Sequence, residues 1–139
     1  MTDVDITRFT DAQETVYETA LAELKAERKR SHWMWFVFPQ IAGLGMTATS
    51  QFFAIANKAE AVAYLAHPIL GARLRECSQA LLDSTSTNIS AILGSPDDLK
   101  LRSSMTLFAQ VAENETLLDD VIAKFYDGPD SRTLELLDT

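Results

Sequence analysis

Apolar positions Phe9, Val16, Tyr17, Ala20, Leu21 and Leu24 recur at three- and four-residue steps, the repeat of one face of an α-helix. Thr10 followed by Gln13 has the form of a capping box ahead of that stripe, so the spacing predicts an amphipathic helix over about residues 11–29. The stripe gives way to HWMWFVF, residues 32–38, apolar on both alternating faces and rich in strand-favouring side chains. Such a run predicts a short buried strand or an extended buried loop, and Pro39 limits any regular structure beyond it. Gly43 and Gly45 then supply a turn before a short apolar piece, Phe52 to Ile55.

Asn57 with Glu60 repeats the capping-box form. It predicts a helix through Ala66 that yields near His67, because a residue before proline disfavours helical geometry. Pro68 suits the first position of a helix whose apolar stripe is Leu70, Leu74, Cys77 and Leu81. Residues 84–88 are Ser, Thr and Asn and read as a loop, followed by a helical turn in Ile89 to Leu93 that Gly94 ends. Ser95, Pro96, Asp97 and Asp98 form a helix start, with a cap, a proline and two acids that complement the helix dipole. That helix is expected to run to about Ala112, with Asn114 capping the next, and Asp127, Gly128 and Pro129 precede a last short helix near Thr133 to Leu137. The pattern as a whole predicts a mostly α fold: a compact single-domain bundle of about six helices with a short extended aromatic segment, residues 1–139 forming one globular domain.

Composition narrows the function more than the fold. Apolar residues at 47% and charged residues at 23% are globular usage, far from that of a disordered chain. A net charge of -8 leaves no broad basic surface to displace counterions from nucleic acid, so general nucleic-acid binding is not expected. The one local basic run, Arg28, Lys29 and Arg30, stands directly before the aromatic segment. Cys77 is the sole cysteine, which rules out an intramolecular disulfide and suits a reducing compartment. The start MTDVDITRF lacks the basic-then-apolar form of a secretory signal, and no apolar run approaches the roughly 18 to 20 residues of a membrane span. The expectation is a cytoplasmic protein.

The two histidines and the cysteine lie far apart without paired ligand spacing, so no metal site is expected, and no phosphate-binding or nucleophile motif implies a cofactor. Cys77 reads as a packing thiol and His67 as a helix-junction residue. Two constellations remain. The first is Lys29, His32, Trp33, Trp35, Phe38 and Gln40. Core packing accounts for its phenylalanines, but each indole, imidazole and amide must find a partner if buried, and indole faces beside cations suit a planar ring such as a nucleobase. The second is Asp98, Lys100, Ser103, Ser104 and Thr106 in DDLKLRSSMTLF. Helical spacing puts Lys100, Ser103 and Ser104 on one face; a solvated face is the simple reading, and a phosphate or ribose site is the other.

SHWMWFVFPQIAGLG, EAVAYLAHPILGARL, DDLKLRSSMTLF and FYDGPDSRTLELL, in that order and spacing over about residues 5–137, resemble the domain-of-unknown-function family 1810, DUF1810. That resemblance names a family without a reaction. A more distant resemblance is to the NADAR family of ADP-ribose-related N-glycosidases, which pairs an early aromatic and proline segment with a helix carrying an M-x-x-x-F-like pattern. Met105 and Phe108 depart from the pattern by being three apart, and Glu60 is the candidate for the family's early acidic residue.

Two functions follow. One is an enzyme acting on a nucleotide or ADP-ribose-like N-glycosidic bond, with tryptophan stacking the base, Lys29 or Lys100 with Ser103 and Ser104 holding phosphate, and Asp98 or Glu60 as the carboxylate that such chemistry requires. The other is a non-catalytic small-molecule or peptide binding module using the same groove. In either case the two constellations are expected to meet in space and form the principal pocket, and the expected partner is a phosphorylated nucleoside-like small molecule.

Overall fold

The computed structural model describes residues 6–138, and among these the chain is mostly helical. In order the helices are α1 (Thr7–Gln13), α2 (Tyr17–Lys25), α3 (Met34–Val37), α4 (Ala48–Phe52), α5 (Lys58–Ala66), α6 (Leu70–Leu82), α7 (Ile89–Leu93), α8 (Asp97–Ala109), α9 (Leu117–Phe125) and α10 (Ser131–Leu137). The long helices α6 and α8 organise the rest. Leu70, Leu74, Cys77 and Leu81 of α6 are fully buried, and α6 packs on α2, α5 and α9. Helix α8 buries Leu101, Met105, Leu107 and Phe108 and touches α5, α7, α9 and α10. A buried leucine contributes about 1.5 to 3 kcal/mol, which is why the apolar stripes decide the packing. Burial pushes the Cys77 thiol up to about 12, the state of a packing residue rather than a nucleophile. No helix among the described residues is long and apolar enough to cross a membrane.

Local signals hold where the bonds they predict are local. Asn57 accepts from the Glu60 amide at 3.0 Å, and α5 ends at His67, whose backbone is extended. The His67 imidazole then caps α6, its Nδ1 accepting from the amides of Ile69 and Leu70. Gly94, at φ 79°, ends α7. The polar loop 84–88 is clamped from both sides. Lys124 donates to the carbonyls of Leu81, Leu82 and Ser84, while the Glu27 carboxylate accepts from the amides of Thr85 and Ser86.

Other expectations fail for tertiary reasons. The helix over 11–29 is two helices, α1 and α2, broken at residues 14–16. Gln13 does not close a capping box: its side chain is 1% exposed and donates to the Phe36 carbonyl at 2.6 Å and the Tyr64 hydroxyl at 3.1 Å. HWMWFVF is neither strand nor extended loop but holds the single helical turn α3, and among the described residues the one strand-like feature is an isolated parallel bridge between Ile41 and Ile55. Pro96, not Ser95, stands at the head of α8, which stops at Ala109. Asn114 takes a left-handed φ of 59°, leaving Thr116 as the cap of α9. The split of the first helix into α1 and α2, together with the short helices α3, α4 and α7, raises the number from about six to ten among the described residues.

Candidate functional site

Glu23 on α2 fixes the basic and aromatic segment. Its carboxylate accepts from the amides of Arg30 and Ser31 (2.9 Å each), the Ser31 hydroxyl (2.6 Å) and the Trp33 indole (2.9 Å). Burial pushes this carboxyl up, but the bonds from Ser31, Arg30 and Trp33 outweigh it and hold Glu23 down to about 2. Because the folded value lies below the ordinary 4.5, its contribution is complete above about pH 4.5 and disappears as pH falls towards 2. We therefore expect melting temperature to fall over that window more steeply in the wild type than in Glu23→Gln; parallel curves would remove Glu23 as the anchor.

Held this way, Trp33 is wholly buried, tilted against Phe38, with the Lys29 ammonium 5.1 Å from its ring centroid. It is a core residue, and the expected stacking of a ligand on Trp33 has no face to use. Trp35 is only half-buried. The exposed His32 stacks beside it at 6.4 Å between centroids, and the Lys100 ammonium lies 5.7 Å from the Trp35 ring. Lys29 and Lys100 converge on one carboxylate, Asp97, at 2.9 and 3.7 Å. Residues about 70 positions apart in sequence thus form one corner, in which two ammonium groups rest on two indoles and share one acid. They do not build the expected principal pocket: the cleft of about 470 Å³ lies elsewhere and none of these side chains lines it.

The remaining expected residues are placed differently. Ser103 bonds back to the Leu99 carbonyl at 3.3 Å, and Ser104 is fully buried with its hydroxyl unpartnered among the described residues. Gln40 is half-buried and its carbonyl accepts from Ile55. The Asp98 carboxylate accepts from the Ser90 hydroxyl at 2.6 Å and its own neighbour's amide, which ties α7 to α8. Glu60 accepts from Arg8 at 2.6 Å and from the Ala56 amide, which ties α5 to α1. Both carboxylates expected to be catalytic are therefore spent on structural bonds. The acid that reaches the lysines, Asp97, was legible only as a partner for the helix dipole, although its spacing to Lys100, three residues on, was a signal for a pair. Glu23 left no local signal. Beside the corner, Thr19, Ala22, Glu23, Ala26, Arg28 and Arg30 line a shallow hollow of about 380 Å³, which adds two guanidinium groups to this side of an otherwise acidic protein. No three His, Cys, Asp or Glu side chains among the described residues gather as metal ligands.

A family model described as a protein of unknown function, DUF1810, matches residues 3–137. The crystal structure at 1.38 Å of the conserved hypothetical protein Rv1873 from Mycobacterium tuberculosis is similar over 97% of this chain and 97% of that one, with a TM-score of 0.94 and 46% identity. No curated protein matches the chain.

Proposed function

Because the chain belongs to the DUF1810 family, whose description names no activity, we propose from its side chains that it is a binding module for a planar, anionic small molecule of the phosphorylated-nucleoside class. The observation that carries this reading is the Lys100 ammonium over the half-buried Trp35 ring, next to the pair of Lys29 and Asp97. An indole face stacks a base at low entropic cost, and a lysine beside it supplies the charge for phosphate. Lys29 and Lys100 balance Asp97 and Glu23, and Arg28 with Arg30 makes this side net positive. Hydrolysis of an N-glycosidic bond gains no support from these contacts, since it needs a carboxylate free to face the sugar and Asp98, Glu60 and Asp97 are all engaged.

The test is thermal shift followed by calorimetry with adenosine monophosphate and ADP-ribose. Ligand at a hundred times its dissociation constant stabilises by about 2.7 kcal/mol, so a melting temperature several degrees higher is expected in the wild type and absent in Trp35→Ala and Lys100→Ala. No free base should appear on prolonged incubation. Equal binding by both variants would move the ligand elsewhere, and released base would replace binding with catalysis.

A further inference from the structure

A cleft of about 470 Å³ between α2 and α6 shares no lining residue with the aromatic corner. An adjoining hollow of about 360 Å³ has Glu14, Ile69 and Arg73 in common with it, which puts Arg73 where the two meet. The Arg73 guanidinium lies 4.6 Å from the Tyr17 ring centroid and donates to the side-chain carbonyl of Gln13 at 3.4 Å. Gln13 is itself fixed by its buried bonds to Phe36 and Tyr64. The cation is thus positioned from the core, yet it forms no ion pair among the described residues. One turn further along α6, Glu76 lines the same cleft and accepts from the Tyr17 hydroxyl, and burial raises Tyr17 well above the usual phenol range, so it remains a donor. Glu14 and Glu18 complete the acidic side of the lining, and Leu21 with Ile69 gives it an apolar wall.

The charges select the ligand. A simple anion meets Arg73 but also three carboxylates, and a simple cation meets the carboxylates but also Arg73. Only a molecule carrying both signs a few ångströms apart is matched throughout. We propose that this cleft binds a zwitterionic α-amino acid with an aliphatic side chain, its carboxylate on Arg73, its ammonium on Glu76 and Glu18, and its side chain against Leu21 and Ile69. Gln13 acts as the positioning residue for Arg73. Nothing in this assignment depends on what the Trp35 corner binds.

The experiment is calorimetric titration of the full chain with L-leucine, isovalerate and isoamylamine, the last two carrying one charge each. Saturable binding of leucine at millimolar concentrations is expected, with neither fragment binding measurably. Each charged hydrogen bond lost should weaken leucine about tenfold to a hundredfold in Arg73→Gln and in Glu76→Gln. Glu18→Gln, at the rim, serves as a further variant if either of those fails to fold, and should weaken leucine in the same direction. Failure of leucine to bind the wild type, binding of either fragment as tight as leucine, or unchanged affinity in the folded variants would overturn the proposal.

Discussion

Trp33→Ala is expected to lower the free energy of unfolding by about 3 to 5 kcal/mol, the usual cost of emptying a buried tryptophan site. The indole is fully enclosed, so its loss leaves a cavity that the neighbouring Phe38 and Lys29 cannot close without leaving their own positions. It also removes one of the donors to Glu23, and an anchor carboxylate left with fewer partners adds to the cost. Urea denaturation of Trp33→Ala beside Trp35→Ala measures this directly. The half-buried Trp35 should cost clearly less, and equal losses would contradict the separation of one tryptophan into the core and the other onto the surface.

Gly71→Ala should be nearly as damaging, at about 3 kcal/mol, although alanine is the better helix former by about 1 kcal/mol. A methyl group at position 71 would run into the Leu65 carbonyl, with the Leu65 carbonyl carbon 2.9 Å away and the Arg75 guanidinium also at 2.9 Å. Arg75 can swing aside, but Leu65 is backbone at the end of α5. That backbone is held by the His67 and Pro68 junction, whose imidazole caps α6. Relief therefore requires the α5 to α6 corner to open. A melting temperature at or above that of the wild type in Gly71→Ala would show that the two helices do not approach so closely.

The elements that could be read from the chain are those whose defining bonds span a few residues. The Asn57 cap, the end of α5 at His67, the buried α6 stripe and the Gly94 stop all belong to this group and carry the mostly helical fold, although Pro68 lies two residues before the start of α6 rather than at its first position. Gln13 misleads because its amide ignores the local amide it would cap and turns inward to partners 23 and 51 residues away. The turn α3 misleads because alternating apolar residues usually mean an extended buried run, whereas here Glu23 fastens the preceding residues and leaves Met34 to Val37 to coil against α1. At the aromatic corner the side-chain types were legible and the acid was not: Asp97 and Asp98 are adjacent, and only the turn of α8 decides which one faces the lysines. The cleft at Arg73 left no trace at all, since Tyr17 and Glu76 are 59 positions apart.

The loop after α6 has the composition of a segment that ordinarily absorbs insertions and deletions. Yet the Lys124 ammonium gathers the carbonyls of Leu81, Leu82 and Ser84, and the Glu27 carboxylate grips the amides of Thr85 and Ser86. A cation from α9 and an anion from the turn after α2 thus hold neighbouring peptide groups, the first recognising oxygens and the second hydrogens. One added or missing residue between positions 82 and 86 would put the wrong atoms before each charge. The length of this polar loop is consequently as constrained as that of a helix, and variation in chain length has to be sought elsewhere on the surface.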